Sequence, residues 1–325
     1  MNSEPSRRIV LLDAGTLGPD ATLDPIARLG ELIRYDATAP AQTGERIGTA
    51  TVVIANKVTL DRQALEPATD ALRLIALTAT GTNNVDLAFC RERGIAVTNV
   101  AGYSTESVAQ HTLAFVLQLI GRLPYYQRYV ASGHYHDSPI FTHYGPAWHE
   151  LSGKRWGIIG LGAIGRRVAE LARAFGCEVV YYSTSGSNTD QPYEHLPLDE
   201  LLSTSAVVTV HAPLTDATRG CIGRREIGLL AGDAVIVNMG RGGIIDEEAL
   251  ADAIAAGLIG GAATDVFSNE PLHRDSPLAS VLSNNRFIAT PHSAWLSVEA
   301  RRRLIDEVAE NVAAFFRGAR RNRVD

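Results

Sequence analysis

Short aliphatic runs alternate with polar and amphipathic stretches through the first hundred residues of the chain. The apolar runs occupy residues 9–12, 31–34, 51–55, 74–77 and 95–98. Runs of this length are typical of strands that are buried on both faces of a parallel sheet. We therefore predict an α/β unit that contains a five-stranded parallel sheet with helices on both of its faces.

A strand, a glycine turn and a helix are predicted by residues 156–165, which read Trp-Gly-Ile-Ile-Gly-Leu-Gly-Ala-Ile-Gly. Four apolar residues then fall on one helical face: Val168, Leu171, Ala172 and Phe175. Gly176 ends this predicted helix, and residues 177–182 predict a second strand. The segment is thus one β-α-β unit.

The glycine spacing in this unit favours dinucleotide binding. Gly160 permits a tight turn, Gly162 lets the backbone approach a pyrophosphate, and Gly165 lets the helix pack closely on the strand. The helix N-terminus, at Ala163 and Ile164, offers N–H groups and a partial positive charge to phosphate oxygens. The alternative is a glycine turn that only connects a strand to a helix.

Four more strands are predicted downstream, at residues 206–210, 234–238, 262–265 and 286–289. With the first two they make six, the number in a Rossmann fold. We therefore expect an α/β chain with two doubly wound parallel-sheet domains, a flavodoxin-like first domain and a Rossmann second domain. Polar side chains directly follow these strands, so one sheet edge should bring Arg241, Glu270 and His292 towards the glycine turn.

Three segments outside the predicted sheets have other patterns. Residues 103–122 are apolar nearly all round and predict an interdomain or intersubunit helix, with an ordinary domain-core helix as the alternative. Residues 124–150 predict a loop-rich aromatic arm that packs against a neighbouring subunit. A metal site formed by the histidines in this arm is disfavoured, because no acid or cysteine completes a ligand spacing. Residues 298–316 predict a helix with an apolar stripe, and this helix is expected to cover the N-terminal domain.

Composition narrows the class of protein. The 325 residues fit two domains at ~150 residues each. The net charge of −6 argues against nucleic acid or an anionic membrane as a partner. No apolar run is long enough for a membrane span, and the N-terminus lacks the features of a signal peptide. Cys90, Cys177 and Cys221 lack CxxC spacing, and we expect free thiols in the cytoplasm.

Three side chains that follow neighbouring predicted strands have the chemistry of a nicotinamide-dependent oxidoreductase. The planar fork of Arg241 matches a carboxylate, as in an α-keto acid. His292 can exchange a proton with the substrate oxygen, and Glu270 would orient the ring and stabilise its protonated form. Each residue alone has an ordinary alternative: a surface arginine, a capped histidine or an exposed glutamate.

With these motifs in place, the sequence resembles the D-isomer-specific 2-hydroxyacid dehydrogenases along essentially its whole length. The segments that show this resemblance are residues 160–165, 238–242, 246–250, 265–266, 270–271 and 290–294. The resemblance implies that Arg241, Glu270 and His292 are catalytic and that the amides of Thr80 and Gly81 hold the substrate carboxylate. It also implies a homodimer formed through the cofactor domain, and an active-site cleft that closes on binding.

The resemblance gives boundaries to the domains and the sites. We expect a discontinuous substrate domain at residues 1–101 and 296–325, and a cofactor domain at 102–295. Asn56 and Lys57, with Thr80 and Gly81, are expected to bind the substrate. The cofactor site is expected to be lined by Gly160, Gly162, Ala163, Ile164, Gly165, Ser183, Thr184, Ser185, His211, Ala212, Pro213, Thr218, Met239, Gly240, Asp265, His292 and Ala294.

Residues 79–86 and 99–112 resemble the glycerate dehydrogenases, also called hydroxypyruvate reductases. This branch implies reduction of hydroxypyruvate or glyoxylate to D-glycerate or glycolate. An acid that would bond the ribose of NAD is absent from residues 181–186, so either NAD or NADP is expected. The alternatives are a formate- or phosphite-type dehydrogenase on the same scaffold, and a nucleotide-sensing corepressor.

Overall fold

A computed structural model describes residues 7–325. Its contacts divide the chain into two compact units. One comprises the described residues up to Ser104 together with Leu296–Asp325, and the other comprises Thr105–Trp295. Each unit is built around its own parallel sheet.

The first unit contains a five-stranded parallel sheet in the order β2-β1-β3-β4-β5. Its strands are β1 (Arg8–Leu11), β2 (Glu31–Arg34), β3 (Val52–Ala55), β4 (Leu74–Leu77) and β5 (Ala96–Thr98). Every residue of β3 and β4 is buried, as the uninterrupted aliphatic runs predict for central parallel strands. The predicted five-stranded sheet is confirmed.

Short helices and the C-terminal helix surround this sheet. They are α1 (Asp24–Ala27), α2 (Thr43–Ile47), α3 (Arg62–Leu65), α4 (Leu87–Glu92) and α11 (Val298–Phe316). The hydroxyl of Ser297 caps α11 by accepting from the N–H of Ala300 at 3.2 Å. Its buried stripe includes Leu304, Val308 and Val312, and the helix packs against α1 and β4. The prediction that this helix covers the N-terminal sheet is confirmed.

The second unit contains a seven-stranded parallel sheet in the order β12-β11-β10-β9-β6-β7-β8. Its strands are β6 (Arg155–Ile159), β7 (Glu178–Tyr182), β8 (Glu194–His195), β9 (Val207–Val210), β10 (Val235–Asn238), β11 (Gly261–Thr264) and β12 (Phe287–Ala289). The six predicted strands are present. The seventh, β8, is an exposed edge strand of two residues, and it lacks the apolar run by which the other strands were predicted.

The helices of the second unit are α5 (Thr105–Ile120), α6 (Leu123–Ala131), α7 (Ala163–Ala174), α8 (Leu198–Thr204), α9 (Arg224–Ile227) and α10 (Glu247–Ala256). The prediction of loop in the first part of residues 124–150 was wrong, because α6 begins there with Pro124 in its first turn. Proline is well tolerated at this position. α5 packs on α7, β10 and β11, as an ordinary domain-core helix does.

None of the helices in residues 7–325 combines the length and the apolar character that crossing a membrane requires. Within the same residues, no three or more His, Cys, Asp or Glu side chains are grouped in a way that would hold a metal ion.

Candidate active site

The glycine turn between β6 and α7 has two tight positions and one open position. Gly160 has a φ of +90°, and a Cβ there would lie 2.8 Å from the backbone of Ala212. A Cβ on Gly165 would lie 2.3 Å from the carbonyl oxygen of Gly160. A Cβ on Gly162 would meet nothing within 4 Å. The first and third glycines are therefore required by packing, whereas the second keeps a space open above the turn.

The start of α7 offers unused hydrogen-bond donors at this open space. No side chain caps the helix at its N-cap residue, Gly162. The N–H groups of Ala163 and Ile164 belong to the first turn, where an α-helix supplies no backbone acceptor. Such donors and the helix dipole together favour an anion. The turn thus fits the pyrophosphate of a dinucleotide.

His211 follows β9 beside the same turn. Both of its ring nitrogens are shielded from solvent, and neither has a hydrogen-bond partner among the described residues. Burial lowers the pKa of His211 to about 3, so the ring is neutral at physiological pH. A buried polar group without a partner is rare in a native protein, and it points to a ligand that completes the site.

The loop that follows β7 is rich in hydroxyl groups. Ser183 is 6% exposed, and its hydroxyl accepts from the N–H of Asn188 at 3.3 Å. The hydroxyls of Ser185 and Ser187 are 2.9 Å apart. Thr184 lies between Ser183 and Ser185 and is half-buried. The first carboxylate after β7 is that of Asp190.

The loop that follows β9 packs against the loop that follows β10. The hydroxyl of Thr218, a buried residue, donates to the carbonyl of Pro213 at 2.7 Å and accepts from the N–H of Thr215 at 2.7 Å. A Cβ on Gly240, which follows the buried Met239, would lie 2.6 Å from the carbonyl oxygen of Ala212. Thr218 therefore shapes its loop, and its expected contact with the cofactor stays a prediction.

Arg241 follows β10 and is half-buried. Its Nη1 donates to the carbonyl of Gly240 at 2.8 Å, and its own carbonyl accepts from Nδ2 of Asn238 at 2.9 Å. Within residues 7–325 Arg241 forms no ion pair, so its charge is not neutralised by a neighbouring carboxylate. A guanidinium in this state can bind a carboxylate ligand.

Glu270 and His292 follow β11 and β12 and contact each other directly. Nδ1 of His292 lies 2.8 Å from Oε2 of Glu270, while Oε1 of Glu270 accepts from the N–H of Phe267 at 3.1 Å. The side chains are 24% and 30% exposed. Because a carboxylate can only accept, Nδ1 carries the proton in this bond. This leaves Nε2 of His292 as the nitrogen that can exchange a proton with a ligand.

Asp265 holds the loop that carries His292. Its carboxylate accepts from the hydroxyl of Thr290 at 2.5 Å and from the N–H groups of Ser293 and Ala294 at 2.8 and 2.9 Å. Asp265 is only 2% exposed. His292, within this loop, adopts a φ of +52°, which is uncommon for a residue with a side chain. Asp265 is thus a positioning residue for His292, and its expected contact with the cofactor stays a prediction.

In the first unit, Asn56 and Lys57 lie in a loop held by a residue that the sequence analysis missed. The N–H groups of Asn56 and Lys57 donate to the carboxylate of Asp13 at 2.9 and 2.7 Å. Nδ2 of Asn84 donates to the carbonyl of Val58 at 2.8 Å. Asp13 is 5% exposed. In the sequence, Asp13 is recognisable only as an isolated acid directly after the first aliphatic run.

Thr80 and Gly81 follow β4 in the same unit. The side-chain hydroxyl of Thr80 donates to the carbonyl of Val100 at 2.8 Å, and its carbonyl accepts from Nδ2 of Asn99 at 2.7 Å. Within residues 7–325 the N–H groups of Thr80 and Gly81 donate to no acceptor. Two adjacent free N–H groups in a rigid turn can bind a carboxylate.

The similarity of this chain to known proteins identifies its family. Residues 113–294, more than half of the chain, match the family described as D-isomer specific 2-hydroxyacid dehydrogenase, NAD binding domain. The chain belongs to this family. The dehydrogenase is therefore an NAD(P)-dependent oxidoreductase, in agreement with the predicted class and with the fit of the glycine turn to a dinucleotide.

Relatives that match nearly the whole dehydrogenase have related names. It is 34% identical over 318 residues to a hydroxypyruvate reductase of Blautia hydrogenotrophica, covering 96% of this chain and 98% of that one. It is 34% identical over 322 residues to a glycerate dehydrogenase of Methylorubrum extorquens, covering 98% and 99%. A solved NADPH-dependent glyoxylate/hydroxypyruvate reductase from Sinorhizobium meliloti is 26% identical, with a TM-score of 0.82 over 98% of this chain and 97% of that one.

Proposed function

We propose that the dehydrogenase reduces hydroxypyruvate and glyoxylate with NADPH or NADH, giving D-glycerate and glycolate. The observation that carries this proposal is the 2.8 Å contact between His292 and Glu270, with Arg241 after the neighbouring strand. Because β10, β11 and β12 are parallel neighbours, these residues follow the same edge of one sheet. The names of the relatives support this choice of substrate.

Each residue has a chemical role in the proposed reaction. The nicotinamide, when bound, supplies a hydride to C2 of the keto acid. Arg241 binds the substrate carboxylate through its planar fork. His292 donates a proton from Nε2 to the keto oxygen, and Glu270 stabilises the protonated ring. Oxidation of the hydroxy acid requires the neutral ring, since the proton then moves from substrate to His292.

We propose that residues 1–101 and 296–325 form the substrate domain and that residues 102–295 form the cofactor domain. The free N–H groups of Thr80 and Gly81 support a role in binding the substrate carboxylate. Asn56 and Lys57 are proposed to contact the substrate as well. The attachment of their loop to Asp13 supports this role for Lys57, because it fixes the backbone position of this exposed residue, whereas Asn56 is buried and its Nδ2 donates to the hydroxyl of Thr16 at 3.2 Å.

We propose that the dehydrogenase forms a homodimer through an apolar surface of the second unit. Several of its apolar side chains line one open groove: Leu117, Leu123, Val130, Tyr135, Phe141, Tyr144, Trp148 and Phe175. Phe141 is 91% exposed and Tyr144 is 87% exposed. Exposed apolar surfaces of this kind mark protein interfaces. Analytical ultracentrifugation tests the proposal: we expect a dimer for the parent protein and a monomer for Phe141→Glu, whereas a monomeric parent would contradict it.

Turnover of a panel of substrates tests the proposed reaction. Hydroxypyruvate, glyoxylate, pyruvate and phenylpyruvate are each supplied with NADH and with NADPH, and loss of nicotinamide absorbance is followed. We expect the highest kcat/KM with hydroxypyruvate or glyoxylate. Oxidation of formate or phosphite with no turnover of keto acids would contradict the proposal, as would dinucleotide binding without any turnover.

A further inference from the structure

A cationic side chain on α7 is linked to the hydroxyl-rich loop after β7. Nη1 of Arg166 donates to Oε1 of Gln191 at 3.0 Å, and Nε2 of Gln191 donates to Oδ1 of Asn188 at 2.7 Å. Nδ2 of Asn188 donates to the carbonyl of Leu161, within the glycine turn, at 3.0 Å. The backbone N–H of Asn188 donates to the hydroxyl of Ser183. A continuous series of hydrogen bonds thus connects the guanidinium to the loop and the turn.

The charge of Arg166 is not neutralised locally. Its contact is to a neutral amide, and among residues 7–325 it forms no ion pair. The adjacent Arg167 differs, because its guanidinium contacts the carboxylates of Glu106 at 2.9 Å and Glu170 at 2.8 Å. Arg166 uses only one of five N–H donors in this contact, so most of its donors remain for a ligand.

Helix geometry places Arg166 on the side of the cofactor turn. Side chains of an α-helix tilt towards its N-terminus, and Arg166 is four residues after Gly162, the N-cap of α7. The loop after β7 contributes the hydroxyls of Ser183, Thr184 and Ser185, and no carboxylate precedes Asp190. In a Rossmann fold the adenine ribose lies at the end of the second strand, where an acid would repel a 2′-phosphate.

We propose that Arg166, held by Gln191, binds the 2′-phosphate of NADP(H) and gives the dehydrogenase a preference for NADPH over NADH. The loop hydroxyls of Ser183, Thr184 and Ser185 donate to the same phosphate. This rests on the proposed function as a nicotinamide-dependent reductase. The positive charge that binds the phosphate is therefore supplied by Arg166 in α7, since the loop after β7 contains no arginine.

Equilibrium binding tests this proposal without any turnover. Dissociation constants for NADPH and NADH are measured by isothermal titration calorimetry for the parent, Arg166→Gln and Arg167→Gln. Loss of a charge-assisted hydrogen bond should raise the dissociation constant for NADPH roughly tenfold or more in Arg166→Gln, with the constant for NADH changed less than about twofold. Arg167→Gln is the matched control, and its NADPH/NADH ratio should equal that of the parent.

A second measurement uses the adenosine half of the cofactor alone. Adenosine 2′,5′-bisphosphate should bind the parent more tightly than adenosine 5′-monophosphate, and added salt should weaken binding of the bisphosphate more steeply. Arg166→Lys keeps the charge and should lose less affinity than Arg166→Gln. An unchanged NADPH/NADH ratio in Arg166→Gln, or a parent that prefers NADH, would overturn the assignment. The predicted binding pattern with no keto acid turnover would support the assignment and contradict only the proposed reaction.

Discussion

Nδ1 of His292 and Oε2 of Glu270 are joined by a 2.8 Å hydrogen bond that links the loops after two adjacent strands. The other carboxylate oxygen is held by the N–H of Phe267, so Glu270 has little freedom to turn away. The imidazole ring is thereby fixed from one side, with Nε2 on the other. A carboxylate at this distance favours a positive charge on the ring, and this supports the proposed role of His292 as a proton donor.

Replacing His292 should slow the chemical step. We expect His292→Gln to lower kcat for keto acid reduction about a hundredfold to ten-thousandfold, the usual contribution of a general acid, with a small change in KM. Oxidation of the hydroxy acid should slow by a similar factor, because the same ring then accepts the proton. Steady-state rates in both directions check this.

Glu270→Gln provides the matched comparison for His292. The glutamine can keep a hydrogen bond to the ring but cannot stabilise its positive charge, so kcat for keto acid reduction should fall while KM changes little. A parent-like kcat for Glu270→Gln would show that Glu270 does not act on the protonated ring of His292.

Replacing Arg241 should damage substrate binding and turnover together. Arg241→Ala removes the fork that binds the carboxylate, and we expect KM to rise roughly tenfold or more along with a fall in kcat. Arg241→Lys keeps the charge without the two parallel donors and should recover only part of the loss. Kinetics with hydroxypyruvate measure both constants. If Arg241→Ala had the parent's KM, the guanidinium would not bind the substrate.

Replacing Asp265 should affect both stability and turnover. Asp265→Ala leaves three donors without an acceptor, and we expect the free energy of unfolding to fall by roughly 3 kcal/mol. Because the loop of His292 loses its support, kcat should fall more than the affinity for NADPH. Urea unfolding and calorimetry measure the two effects.

Asp199→Asn is the control for Asp265, since Asp199 contacts Arg225 only at the exposed surface. It should unfold at the same urea concentration as the parent. Parent-like turnover in Asp265→Ala would show that the loop of His292 does not depend on this carboxylate.

His211 should make stability sensitive to acid. Its pKa is about 3 in the folded protein, because the ring is buried, and about 6.5 in an unfolded chain. The unfolded state therefore binds a proton below pH 6.5 that the folded state does not bind until near pH 3. This contribution to stability is fully present above pH 6.5 and is lost as pH falls towards 3.

His211→Asn isolates this contribution, because the other histidines are unchanged. Between pH 7.5 and pH 5 the urea midpoint should fall further for the parent than for His211→Asn. Equal falls in the two proteins would mean that His211 is protonated as readily in the folded state as in the unfolded state.

The sheets were predictable because their signal is local. A central parallel strand is buried on both faces, so its sequence is a continuous aliphatic run, as in β3 and β4. The edge strand β8 (Glu194–His195) is exposed and carries no such run. The helix α6 was missed for a similar reason, because none of its residues is buried.

The shared location of Arg241, Glu270 and His292 was predictable, because each residue lies within a few positions after a strand of the same sheet. Roles that depend on tertiary contacts were not. Asp13 stands out in the sequence only as an isolated acid after the first aliphatic run, and this position does not indicate that its carboxylate holds the loop of Asn56. The link between Arg166 and Gln191 spans 25 residues and joins a helix to a loop, so no spacing rule reveals it.

The chirality of the product tests the central claim most directly. The dehydrogenase is incubated with hydroxypyruvate and NADPH, and the glycerate formed is separated by chiral chromatography. We predict D-glycerate in an amount equal to the NADPH consumed, with formation slowed at least a hundredfold in His292→Gln. Formation of L-glycerate, or no consumption of NADPH or NADH with this substrate, would contradict the account.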